Sequence, residues 1–217
     1  MADPVGAVMR AGVDRLVRGG LRGIWLRETL PAGPFVWAAN HHSWWDPFVA
    51  FAVLARLRRP ACLLMRADNL TRYAFARRLG VFAASEPRTG LRHLDEGRVL
   101  ILFPEAELRT PGATGPLAAG AAWYALRTGV PLQAVAVRVA MRGHQAPEAY
   151  ASTATVDLGD TGHLTEATRR LRSTLDARLA ELDAELNETD ARCAPAGFRL
   201  VVRGKRSWDE RLTGEKR

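Results

Sequence analysis

Apolar residues at Val5, Met9, Val13, Leu16, Val17, Leu21 and Ile24 recur at helical spacing, with Arg15, Arg18 and Arg22 on the opposite side. This pattern predicts a basic amphipathic helix over residues 5–26. Beyond it, short apolar runs alternate with helical periodicity. Residues 35–39, 61–65, 81–84, 99–103 and the Val-rich 132–140 read as strands, followed by 150–158 and 198–202. Residues 46–57, 70–79 (closed by Gly80), 91–96, 117–128 (closed by Gly129) and 164–186 read as helical. Such alternation predicts an α/β fold in one domain, with a largely parallel or mixed central sheet flanked by helices. The predicted division is an N-terminal amphipathic helical segment (1–30), a main domain (31–203) and a charged tail (204–217) expected to be mobile.

A length of 217 residues with 47% hydrophobic content suits one domain with a full core. Basic residues outnumber acidic ones 31 to 23, a net charge of +8, and only Lys205 and Lys216 are lysines. An arginine-rich surface favours anionic partners such as phospholipid headgroups, nucleotide phosphates or nucleic acid. The arginines are spread along the whole chain, so charge by itself selects none of these. Cys62 and Cys193 form no disulfide framework, which fits a reducing cytoplasm. No segment has the apolar length to span a bilayer, and the first thirty residues lack a signal-peptide core. Contact with a membrane would therefore be peripheral. The N-terminal helix can lie at an anionic interface with Trp25 near the headgroups, or pack on the domain, and Gly19, Gly20 and Gly23 weigh toward packing.

The chemistry concentrates at two predicted strand ends. Asn40-His41-His42-Ser43-Trp44-Trp45-Asp46 follows the first strand, ahead of Pro47. An imidazole takes up a proton near neutral pH, and a nearby carboxylate fixes its tautomer and stabilises the imidazolium, a pairing suited to activating a hydroxyl. Asp46 before Pro47 also has the form of a helix N-cap. A metal site is the weakest alternative, because His93, His144 and His163 are scattered and neither cysteine has a ligand-spaced neighbour. Phe103-Pro104-Glu105 then ends a second strand, with Glu107 and Arg109 close behind. In a parallel sheet both turns lie beyond strand carboxyl ends, where ligands bind. Glu105 can accept hydrogen bonds from an acceptor hydroxyl or from backbone, and Arg109 can hold an anionic group.

In order, these blocks resemble the glycerolipid acyltransferase family, which includes bacterial 1-acylglycerol-3-phosphate acyltransferases. Asn40, His41, Ser43 and Asp46 match Asn-His-x-Ser-x-x-Asp, which selects His41 over His42. Arg66 followed by Gly80-Val81-Phe82 resembles the second block, Phe103-Pro104-Glu105 with Arg109 part of Phe-Pro-Glu-Gly-Thr-Arg, and residues 130–136 the Val-Pro-rich strand. There are departures at positions the family uses to hold the acceptor's phosphate. Ala106 replaces a glycine, Arg109 lies one position late, and Ser85-Glu86 with Arg88 two positions on replaces an acidic-arginine pair.

The resemblance implies direct acyl transfer from acyl-CoA or acyl-carrier protein to a hydroxyl of a lysophospholipid or other lipid-like acceptor. His41 is then the general base, and Asp46 orients it. Glu105, Arg109, Arg66 and Arg88 are candidates for substrate binding, Ser43 for the turn and Trp44 for the acyl path. Backbone amides near the histidine turn are candidate oxyanion donors. No metal or bound cofactor is implied. The expected partners are the thioester donor, the lipid-like acceptor and a membrane surface, with nucleic acid excluded; the expected location is the cytoplasmic face of a bacterial cell membrane. Two alternatives remain: His42-Ser43-Trp44-Trp45-Asp46 also fits the His-x-x-x-Asp of chloramphenicol-acetyltransferase-like enzymes, with His42 as base, and the chain can be a basic lipid-binding protein without catalysis.

Overall fold

Period-two alternation in the strands sends successive side chains to opposite faces of one sheet. Phe35, Trp37, Ala39, Val99, Ile101, Val135 and Val137 face one core, and Val36, Ala38, Leu100, Leu102, Ala134 and Ala136 the other. The computed structural model describes residues 4–27, 30–160 and 162–213. Within them the strands are β1 (Gly23–Arg27), β2 (Val36–Ala39), β3 (Ala61–Met65), β4 (Val81–Ala83), β5 (Val99–Leu102), β6 (Leu132–Ala140), β7 (Glu148–Thr155) and β8 (Arg199–Arg203). They form a mixed sheet in the order β4-β3-β5-β2-β6-β7-β1-β8. The run from β4 to β6 is parallel throughout, so the carboxyl ends of five strands share one edge. Antiparallel β6–β7 and β1–β8 pairs flank the parallel β7–β1 pair.

Helices α1 (Pro4–Gly20), α2 (Asp46–Arg56) and α3 (Ala67–Arg72) cover the first face, with Val17, Val49, Val53 and Leu70 in its core. Helices α4 (Pro87–Asp95), α5 (Gly120–Thr128) and α6 (Leu164–Glu188) cover the second, where α6 contributes Leu171, Leu175, Leu179 and Leu182. Each such fully buried side chain stabilises the fold by about 1.5–3 kcal/mol. The last helix, α7, is Trp208–Leu212.

Several elements differ from the sequence expectation. The N-terminal helix does not run to residue 26 but ends at Gly20, and residues 23–27 form β1, paired on both sides within the sheet. A Cβ on Gly20 would lie 2.2 Å from Cη2 of Trp45, so a larger residue there would displace the Trp45 ring where the end of α1 meets the start of α2. Arg22 N–H then donates to the Pro147 carbonyl at 2.8 Å, which starts the pairing with β7. Ile24 and Leu26 are buried on one face with Trp25 on the other, a short period of two concealed within residues that also fit helical spacing. The expected helix over 70–79 is α3 followed by a 3-10 helix, Ala74–Leu79, which Gly80 closes at φ 85°.

The tail is also more ordered than its charge suggests. Ser207 and Glu210 form a reciprocal capping box at α7, and Glu210 is buried, accepting from Arg22 at 2.7 Å. Residues 214–217 of the expected mobile tail lie outside the described residues, as do residues 1–3, 28 and 29 of the N-terminal segment.

Candidate active site

β2 ends beside β6, and Asn40 carries the pairing one step further with its side chain. Its amide nitrogen donates to the Val137 carbonyl at 3.0 Å, and its oxygen accepts from Val137 N–H at 2.7 Å. The main chain can therefore leave the sheet without orphaning a buried polar group. It turns at once around Asp46. Oδ2 of Asp46 accepts from His42 N–H and Ser43 N–H, each at 2.8 Å, and lies 3.1 Å from Nδ1 of His41. Trp45 holds the N-cap position of α2, and the Asp46 carboxylate faces backward into the turn rather than capping the helix as its place before Pro47 suggested. A carboxylate only accepts, so Nδ1 of His41 carries the proton and Nε2 keeps its lone pair. Ser43 Oγ accepts from Trp45 N–H at 3.1 Å, a role within the turn.

The ring of His41 stacks on Phe103 with centroids 4.5 Å apart and lines a largely apolar groove of about 330 Å³. Leu63, Met65, Leu102, Phe103, Trp123 and Tyr124 supply much of its wall, and Arg66 stands at it. Exposed Trp44 packs on Trp45 and Phe48 beside the turn.

Glu105 follows β5, the neighbour of β2, and its carboxylate is buried. One oxygen accepts from His41 N–H at 2.8 Å and the other from Gly115 N–H at 3.0 Å. Arg109 N–H in turn donates to the His41 carbonyl at 2.8 Å. Glu105 thus ties the loop after β5 to the backbone of His41 and braces the site from inside, rather than opening toward an acceptor. Ala106 after it has φ 59°, in the left-handed region, where the related family carries glycine. The Arg109 guanidinium is drawn back onto its own loop, donating to Glu107 with Nε 4.0 Å from Glu105. Arg66 and Arg88 are exposed; Arg66 pairs loosely with Asp68 at 3.6 Å, and Glu86, just before Arg88, is held by Arg77 at 2.7 Å.

The amides of His41, His42, Ser43 and Trp45 are all engaged within this framework. These four amides serve the turn itself, and an oxyanion donor would come from other backbone nearby.

The residue missed in the sequence is Arg138, on β6. It is buried and joined to Asp183 of α6 by two bonds, at 2.6 and 2.8 Å, while also donating to the Gly112 carbonyl at 2.9 Å and to Nδ1 of His42 at 2.7 Å. A charged residue inside the apolar Leu132–Ala140 run was the available signal. Burial pushes the His42 pKa below its ordinary value, and the positive Arg138 adds to this against the pull of Glu105. His42 is enclosed, unlike His41, which faces the groove. No group of three or more potential metal ligands occurs among the described residues.

The site is thus a histidine-carboxylate pair at the carboxyl edge of an α/β sheet, beside an apolar groove. A family model described as Acyltransferase matches residues 25–138, more than half of the chain. The chain belongs to this acyltransferase family. Among solved structures it is similar to the 1-acyl-sn-glycerophosphate (LPA) acyltransferase PlsC from Thermotoga maritima, with 16% sequence identity, a TM-score of 0.59, and coverage of 85% of this chain and 84% of that one. At that identity the likeness is one of fold. No curated protein sequence matches. Membership of this family removes the chloramphenicol-acetyltransferase-like alternative, which belongs to a different fold.

Proposed function

We propose that the protein transfers a fatty acyl group from a thioester, acyl-CoA or acyl-carrier protein, to a hydroxyl of a lysophospholipid or other lipid-like acceptor. The observation that carries the reading is the 3.1 Å contact between Nδ1 of His41 and Asp46 at the wall of the apolar groove. With Nδ1 protonated toward Asp46, Nε2 takes the proton of the acceptor hydroxyl as its oxygen attacks the thioester carbonyl. The tetrahedral intermediate collapses by expelling the thiolate, which leaves as thiol with the proton returned by the imidazolium. Asp46 stabilises the cationic ring meanwhile. The groove takes the acyl chain, and its apolar lining favours hydrocarbon over polar substrates.

Arg66, exposed at the groove wall, is a cation for an anionic group on either substrate, and exposed Arg88 follows Pro87 of the same wall. The net charge of +8 is compatible with work at an anionic membrane surface, for which the cytoplasmic face of the cell membrane is the proposed location. No helix among the described residues is long and apolar enough to cross a membrane. The test is thiol release from an acyl-thioester in the presence of a lysolipid or a lipid extract. His41→Ala, shown to be folded, is expected to lose about 10²–10⁴-fold in rate. A wild-type rate in that variant removes His41 as the base, and no thiol release by the unaltered protein favours the non-catalytic lipid binder. Asp46→Ala is less informative alone, since the same oxygen holds two amides of the turn.

A further inference from the structure

We propose that Arg138 is a positioning residue for acyl transfer, which keeps the His41 turn in its working geometry by fixing the His42 side chain against Glu105. The kinetic part rests on the acyl-transfer reading above.

The geometry dictates each step. A guanidinium has no acceptor, so its 2.7 Å contact to Nδ1 of His42 makes that nitrogen the lone-pair site and puts the ring proton on Nε2. Nε2 lies 3.5 Å from Oε1 of Glu105, the same oxygen that accepts from the backbone N–H of His41. At that distance the buried Nε2–H makes no hydrogen bond, so Oε1 serves the His41 amide while the His42 ring is neutral. His42 N–H also holds Asp46, so the side chain and the backbone of one residue touch both carboxylates of the site.

The charged groups facing His42 are Arg138 from β6, Glu105 from the loop after β5 and Asp46 from α2, and Asp183 of α6 lies behind Arg138. Without Arg138, only the two carboxylates face the ring directly. It then accepts a proton nearer neutrality, and the imidazolium draws Glu105 Oε1 away from His41.

Arg138→Met is therefore expected to add a second acid limb to the one that any general base gives by itself, steepening the fall of kcat by about a further tenfold per pH unit below both midpoints, with little change in KM for the thioester. His42→Gln in the Arg138→Met background removes that limb, because the titrating group is gone. Asp183→Asn removes the charge behind Arg138 but leaves its contact with His42, and is expected to add no limb. Nitrogen NMR of labelled histidine gives a readout without turnover: His42 in the unaltered protein is the neutral Nε2–H tautomer at neutral pH and titrates below an ordinary histidine, and its titration moves to higher pH in Arg138→Met. If no thioester is turned over, the acyl-transfer reading fails and the NMR titration still decides the role of Arg138 in fixing His42. A parallel pH profile in Arg138→Met, a second acid limb that survives His42→Gln, or an unmoved His42 titration overturns the proposal.

Discussion

At the residue scale, Ala106 shows how a departure from the family pattern acts. An L-residue in the left-handed region costs about 1–2 kcal/mol, and glycine's extra chain entropy returns about 0.5–1 kcal/mol of that difference. Ala106→Gly is therefore expected to raise stability by about 1 kcal/mol, read as a higher urea midpoint with an unchanged slope. The catalytic candidates were legible because they are local. His41 and Asp46 lie five positions apart, and the turn between them closes on itself. Glu105 was legible as a residue but not in its orientation, since one amide it satisfies, that of His41, is brought to it by the neighbouring strand, and the other, that of Gly115, by the return of its own loop. Arg138 was not legible: its contact with His42 spans 96 positions, and residue type alone does not reveal a buried guanidinium's partners.

At the element scale, the central strands and α6 followed directly from hydrophobic period, while β1 and α7 did not. Both are short, and tertiary pairing decides their state. β1 lies between β7 and β8, and α7 is fastened by Glu210, whose carboxylate meets Arg22 beneath it. Arg22 also reaches Glu148 of β7, itself held by the Tyr150 hydroxyl at 2.7 Å. Removing one member of such a buried ionic set leaves desolvated charge poorly compensated. Glu210→Ala is expected to cost about 2–3 kcal/mol, less than severing an isolated pair because Glu148 remains. Calorimetry on the variant checks this, and loss of helix confined to the C-terminus, seen by hydrogen exchange, would accompany it.

At the scale of the whole molecule, acid sensitivity follows from its histidines. Burial lowers the pKa of His42, His93 and His144 below 6.5, most plainly through loss of hydration. The unfolded chain then binds protons that the folded one refuses, so their contribution is complete above about pH 6.5 and declines as pH falls through that value toward the lower folded pKa values. Urea midpoints are expected to drop between about pH 7 and 5, and substituting His144 with Gln to shrink the drop.

The position of β1 also constrains how the chain is made. Its first partner, β7, lies 125 residues further along, and its second, β8, is later still. At about 5–20 residues per second, β1 emerges from the ribosome roughly 6–25 s before anything it can pair with. During that interval Ile24, Trp25 and Leu26 present an apolar strand with both edges open, the segment a chaperone would hold and the one most exposed to mispairing between nascent chains.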